Sequence, residues 1–140
     1  MKIVEQRFLR GPNLYANKPC MLAIIDLESL YDVASSHIAG FTDRLIEIVP
    51  SLYRHRCSVG RPGGFIERLR EGTYMAHIAE HLTLELQCLA GNEVGYGRAR
   101  EVRGKPGLYR VVIAYKSEKV VAMAFDIALR MIEALAAGRE

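Results

Sequence analysis

The residues best suited to chemistry are two histidines and a glutamate at positions 77–81. At about 100° per helical residue, His77 and His81 lie one turn and about 40° apart. Both imidazoles could therefore reach one ion, and zinc commonly takes imidazole nitrogens. Glu80 is offset from His77 by about 60°, so it could take a proton from zinc-bound water without binding the ion. The spacing predicts zinc ligands at His77 and His81 and a catalytic residue at Glu80.

The helix that carries this motif is expected to be covered on both sides. It is predicted to run from an N-cap at Thr73 to about Ala90, where Gly91 ends it. Leu84 and Cys88 lie on the same side as the histidines, so that side is not simply wet. The histidines should lie in a recess, where partial burial favours the neutral imidazole that binds metal.

A third zinc ligand is not supplied by the motif itself. Glu67 and Glu101 come from other segments and are the better candidates, because Glu85 should lie too far along the helix axis. Cys57 and Cys88 are weaker candidates, since no C-x-x-C spacing is present. The five-residue pattern is also short enough to arise by chance, with histidines that only pack or hydrogen-bond.

Composition and patterning predict one domain over residues 1–140, with a small, mainly antiparallel sheet packed against helices in an α+β fold. Strands are predicted at 2–9, 20–27, 94–102 and 108–115, and helices at 41–48, 65–70, 73–90 and 118–137. The last helix has an apolar stripe at Val121, Phe125, Ala128, Ile132 and Leu135. Turn residues at 103–107 predict that the last two strands form a hairpin.

Several classes of protein are disfavoured. No apolar run approaches the roughly 18 residues of a membrane span, and the N-terminus has no signal-peptide pattern. The cysteines Cys20, Cys57 and Cys88 are odd in number and widely spaced, which indicates reduced thiols and a cytoplasmic protein. Neither G-x-x-x-x-G-K-[ST] nor a G-x-G-x-x-G after a strand is present, so no ATP site is expected in this chain.

Basic residues form two clusters within a net charge of only +3. The first contains Arg54, Arg56, Arg61, Arg68 and Arg70, and the second contains Arg98, Arg100, Arg103, Lys105 and Arg110. Such clusters attract polyanions or carboxylate-bearing ligands, although solvated surface charge explains any single arginine. A nucleic-acid partner is disfavoured because few aromatic residues accompany the arginines and no nucleic-acid module is recognisable.

Five motifs, in register along the chain, resemble the N-terminal domain of cyanophycin synthetase. They are R-G-P-N at 10–13, G-G-F-I-E-R at 63–68, R-E-G-T-Y-M at 70–75, H-I-A-E-H at 77–81 with L-E-L-Q at 84–87, and V-G-Y-G-R at 94–98. That family makes cyanophycin, an aspartate-backbone polymer with arginine joined to each side-chain carboxylate. Its complete enzymes add ATP-grasp and Mur-ligase-like domains. The resemblance therefore implies either a fragment of such an enzyme or a stand-alone relative.

The resemblance also implies what such a domain does. It holds the polymer near the ligase sites, and in some members it resembles a zinc metallopeptidase that cuts the polymer into primers. His77, Glu80 and His81 inherit those roles, and Arg98 is implied to lie near the same site. The guanidinium groups of Arg98 and Arg100 could bind polymer carboxylates bidentately. The alternative is a non-catalytic module that tethers the polymer for the ligase domains. Assembly into a homo-oligomer is left open.

Overall fold

One antiparallel sheet and the helices packed against it form the described part of the chain. The computed structural model describes residues 1–55 and 60–138. The strands are β1 (Lys2–Leu9), β2 (Cys20–Asp26), β3 (Gly97–Glu101) and β4 (Leu108–Ala114), and the helices are α1 (Phe41–Ile48), α2 (Gly64–Glu71), α3 (Met75–Leu89) and α4 (Glu118–Ala136). Short 3₁₀ helices span Glu28–Leu30, Ser35–His37 and Pro50–Arg54. The strand order β1-β2-β4-β3 is antiparallel throughout, which confirms the predicted α+β class.

Both faces of the sheet are covered. Met21 and Ile25 of β2 and Ile113 of β4 lie fully buried in the main core, which they share with α3 and α4. On the opposite face, Val112 packs in a smaller cluster with Tyr15 from the segment after β1. Burial on both faces accounts for the nearly continuous apolar sequence of β2 and β4.

Helix α4 follows its predicted pattern. Its stripe residues Val121, Phe125, Ala128, Ile132 and Leu135 are all buried. The Ser117 hydroxyl accepts a hydrogen bond from the Val120 N–H and caps the helix N-terminus. The local sequence therefore sets both the start and the buried face of this helix.

The start of α3 is fixed by a buried serine. The Ser35 hydroxyl donates to the Leu69 carbonyl at 2.7 Å and accepts from the Thr73 N–H at 3.0 Å, which joins the end of α2 to the start of α3. Between the helices, Gly72 adopts φ +117°, a conformation that favours glycine. The predicted N-cap at Thr73 is wrong by one residue: Tyr74 is the N-cap, and the Thr73 hydroxyl contacts the imidazole of His77 instead.

Strand β3 begins later than predicted. The predicted strand starts at residue 94, but pairing with β4 runs only from Gly97 opposite Ile113 to Glu101 opposite Tyr109. Before the strand, Val94 and Gly95 line the recess beside the histidine motif, and the Tyr96 carbonyl accepts from the Ala114 N–H at 2.9 Å. The predicted hairpin itself is confirmed, since β3 and β4 are antiparallel neighbours.

The described cysteines and helices bear on the predictions about reduced thiols and membrane spans. Cys20 is buried and Cys88 is half-buried, and both are free thiols. Cys57 and Arg56 lie outside the described residues, so the predictions made for them stay untested. None of the helices within residues 1–55 and 60–138 has the length and apolar character needed to cross a membrane.

Candidate metal centre

The structure brings His77, Glu80 and His81 together on one side of α3. One ligand atom from each of these residues lies within 4.8 Å of the others. The three side chains line a recess of about 700 Å³, bounded on the far side by residues 94–100. The recess that the sequence predicts is therefore present, with the motif in its wall and an opening to solvent.

A phenylalanine holds both imidazoles in place. The ring of Phe65, fully buried at the start of α2, stacks on His81 with centroids 4.0 Å apart and an interplanar angle of 15°. The same ring meets His77 edge-on at 5.6 Å, and the two imidazoles lie edge to face at 4.7 Å. The Thr73 hydroxyl contacts Nδ1 of His77 at 2.9 Å. Both histidine rings are thus positioned by packing before any ligand arrives.

Burial keeps the two imidazoles neutral. Burial, helped by the Arg68 charge, lowers the pKa of His77 from 6.5 to about 4. Burial, helped by the neighbouring His77 and His55, lowers the pKa of His81 from 6.5 to about 2. At neutral pH both rings therefore offer nitrogen lone pairs, the form that binds a metal ion.

The pKa of Glu80 is shifted in the opposite direction, upwards. Its side chain is 8% exposed, and burial raises its pKa from 4.5 to about 7, against the opposing effect of the Arg98 charge. A carboxyl group that titrates near neutral pH can both accept and return a proton. Glu80 is therefore suited to general acid–base chemistry at this recess.

Glycine at position 97 makes room for Glu80. A Cβ atom added at Gly97 would lie 2.8 Å from both Cγ and Oε2 of Glu80. Strand alternation turns residue 97 towards α3, because Gly97 pairs with the core residue Ile113. This close approach explains why a glycine occupies the first residue of β3.

Arg98 and Arg100 line the recess from the edge strand of the sheet. Both are exposed, and in the described part of the chain no carboxylate lies within ion-pair distance of either guanidinium. The structure thus places these predicted binding residues beside the histidine motif, with their charges available to an anionic group.

Three arginines of the first cluster, unlike Arg98 and Arg100, have carboxylate partners. Arg54 pairs with Glu85 at 3.1 Å, Arg61 with Glu67 at 2.6 Å and Arg70 with Asp43 at 3.1 Å. Their charges are matched locally, so these three carry less attraction for an external ligand than the sequence suggested.

The third-ligand candidates chosen from sequence are wrong. The Glu67 carboxylate is turned to Arg61, and the Glu101 carboxylate accepts from the backbone N–H of Gly107 at 3.3 Å. Neither residue lines the recess. The Cys88 thiol, the weaker alternative, donates to the Val94 carbonyl.

A further histidine, His55, reaches the motif from the end of the 3₁₀ helix Pro50–Arg54. Its Nδ1 lies 2.9 Å from Nδ1 of His81, and its Nε2 lies 2.9 Å from Oε1 of Glu85. The His55 carbonyl accepts from the Phe65 N–H, which ties this segment to α2. Burial alone would raise the pKa of Glu85, but hydrogen bonds from Ser51, His55 and Arg54 outweigh it and lower that pKa.

The donor set fits zinc. His77 and His81 would hold the ion through neutral imidazole nitrogens, which zinc prefers, while the recess beside them is open and the Glu80 carboxyl lies close by. Among the residues that the structure describes, these three are the one group of His, Cys, Asp or Glu found close enough together to hold an ion.

A second cavity, of about 650 Å³, adjoins the recess. Val94 and Gly95 line both cavities, and the second also contains Lys18, Glu93 and Lys116. Side chains of both charges therefore border the space next to the recess.

Comparison with known proteins identifies the family. The model of the cyanophycin synthase-like N-terminal domain matches residues 22–137, which includes α4. The chain is 46% identical over 137 residues to a cyanophycin synthetase of Crocosphaera subtropica and 45% identical to those of Trichormus variabilis and Synechocystis sp.. Each match covers 96% of this chain but only 15–16% of the relative. The resemblance inferred from the five motifs is thereby confirmed, and the chain belongs to the cyanophycin synthase-like N-terminal domain family.

Proposed function

We propose that this chain binds cyanophycin and cleaves its peptide backbone with the help of zinc, producing short pieces that prime synthesis. The observation that carries the proposal is the convergence of two neutral imidazoles and one protonatable carboxyl in an open recess. The family relationship supplies the substrate, because the matched relatives are cyanophycin synthetases.

His77 and His81 would hold the ion. Bound there, zinc would polarise the scissile carbonyl and acidify a water molecule. Glu80 takes a proton from the attacking water and passes it to the amide nitrogen that leaves, so that its carboxyl group ends the cycle as it began. A pKa near 7 suits both proton transfers at neutral pH.

Substrate binding follows from charge. Arg98 and Arg100 each present a planar guanidinium group that pairs with carboxylate oxygens, such as the free terminus of the polymer. The second cavity extends the binding surface, and Glu93 there offers a carboxylate to an arginine side chain of the polymer. An extended chain can thus cross the recess past His77 and His81.

The chain corresponds to about 16% of the length of its cyanophycin synthetase relatives. We place its products upstream of the ATP-dependent ligations carried out by ATP-grasp and Mur-ligase-like domains. On this account the domain supplies primers, and those ligase domains extend them.

Replacing Glu80 tests the proposed chemistry. Glu80→Gln keeps the shape of the side chain but cannot accept a proton, so it should lower the cleavage rate by at least roughly a hundredfold. Zinc and polymer binding should change little. The measurement is the length distribution of cyanophycin after incubation with zinc and either protein, with Glu5→Gln, on the opposite edge strand β1, as a control of equal charge change. Cleavage by Glu80→Gln at the parental rate would refute the catalytic assignment.

A non-catalytic tether is the second candidate, favoured by the unmatched charges of Arg98 and Arg100. It needs no metal, and it predicts polymer binding that neither chelators nor Glu80→Gln affect. Retention of polymer on immobilised protein, with no change in polymer length when zinc is added, would favour the tether.

A further inference from the structure

A hydrogen-bonded chain of three side chains runs behind the candidate ligand His81. Glu85 accepts from Arg54 at 3.1 Å and contacts Nε2 of His55 at 2.9 Å, and Nδ1 of His55 lies 2.9 Å from Nδ1 of His81. The Glu85 side chain is 2% exposed, that of His55 15% and that of His81 10%. The contacts are short and the three side chains are largely buried, which strengthens the hydrogen bonds between them.

Glu85 determines which atoms donate and which accept along this series of hydrogen bonds. A carboxylate only accepts hydrogen bonds, so the facing Nε2 of His55 must carry its hydrogen. The other ring nitrogen of His55, Nδ1, can then accept the hydrogen carried by the facing Nδ1 of His81. This arrangement leaves the lone pair of His81 at Nε2, the nitrogen on the Glu80 side, 3.9 Å from Oε2 of Glu80.

We infer that His55 and Glu85 are positioning residues that hold His81 in the Nδ1–H tautomer, with Nε2 presented to the recess for a metal ion. The inference rests on the proposed role of His81 as a zinc ligand. Histidines that bind metals commonly donate their other N–H to a fixed acceptor, and removing that acceptor typically weakens metal binding about 10–100-fold. Here the acceptor is a second imidazole, itself held by a buried carboxylate.

Zinc affinity of the variants tests this role. His55→Leu removes the acceptor and should weaken zinc binding about 10–100-fold in a competition titration with a chelator. His55→Gln supplies an amide oxygen that can accept from Nδ1 of His81, so it should retain affinity within a few-fold of the wild type. His37→Leu is the control, because His37 is exposed and its ring accepts a hydrogen bond from the Ala34 N–H in its own turn. Equal zinc affinity for His55→Leu and the wild type would overturn the inference.

The tautomer itself can be measured without metal. Long-range ¹H–¹⁵N correlation spectra of the metal-free wild-type protein at pH 7.5 should show His81 protonated at Nδ1 and His55 at Nε2. A His81 ring protonated at Nε2 would overturn the inference, even if His55→Leu fails to fold. The two proposals fail separately: a wild-type protein that binds no zinc refutes the proposed function, while the spectra still decide how His81 is held.

Discussion

The Glu80 carboxyl group combines burial with a proposed role in proton transfer. In the folded chain its pKa is about 7, whereas the ordinary value is 4.5. Between these two pH values the folded state holds a proton that the unfolded state has released. Folding is therefore favoured by low pH at this residue, and its contribution is lost as the pH rises through the window.

This difference predicts how stability depends on pH. In metal-free protein, the free energy of unfolding of the wild type relative to Glu80→Gln should fall by about 3 kcal/mol as the pH rises from below 4.5 to above 7. Urea denaturation of both proteins between pH 5 and pH 8 measures most of this change.

Comparing the wild type with Glu80→Gln isolates the contribution of Glu80 to the pH dependence of stability. His77 and His81 are present in both, and their lowered pKa values destabilise each protein as the pH falls below 6.5. That effect cancels in the difference. A difference that stays flat, or that rises with pH, would show that Glu80 is ionised in the folded protein at all these pH values.

The contact between β3 and α3 sets the position of Glu80. Gly97→Ala would place a methyl group 2.8 Å from the Glu80 side chain and push it from its place, at a cost of about 1–3 kcal/mol in stability. Cleavage should fall about tenfold or more, because the carboxyl moves relative to the scissile bond. Gly11→Ala is the control, since its added Cβ meets nothing within 4 Å and Gly11 lines neither cavity. If the two variants cleave equally fast, this contact does not position Glu80.

Local patterns in the sequence predicted most of the elements. The spacing of His77 and His81 on α3 follows from helix geometry alone, and the α4 stripe and the β3–β4 hairpin follow from periodicity and turn residues. Burial of both faces of α3 was also predictable, because apolar residues surround the motif.

Contacts between distant segments were not predictable in this way. His55 lies in a 3₁₀ turn with no periodic pattern, and only folding brings it against His81 and Glu85. Glu67 and Glu101 looked suitable as ligands because sequence gives no information on their partners in the fold. The one sequence signal for the network behind His81 was the position of Glu85, which lies four residues after His81 and so one helical turn along α3.

Across the whole molecule, the sheet order puts charge where the polymer would pass. β3 is an edge strand, so Arg98 and Arg100 border the recess and remain exposed. Replacing both with glutamine should raise the polymer concentration needed for half-maximal cleavage roughly tenfold, since each loses a charge-assisted contact to a carboxylate. Zinc affinity should stay within a few-fold of the wild type.

The variant Arg7→Gln controls for the loss of positive charge away from the recess. Arg7 is 62% exposed on β1, the opposite edge of the same sheet, so its loss changes net charge without touching the recess. Steady-state cleavage at several polymer concentrations separates the two cases. Because Arg7→Gln removes one charge and the double variant removes two, an equal effect per charge removed would indicate general electrostatic attraction and not binding at the recess.

Zinc content is the most direct test of the central claim, that His77 and His81 together hold a metal ion. Purified chain equilibrated with zinc and then desalted should retain about one zinc per chain by elemental analysis. His77→Ala and His81→Ala should retain almost none, and His37→Ala should match the wild type. Wild-type protein that emerges without zinc, or His77→Ala and His81→Ala proteins that keep it, would contradict the account.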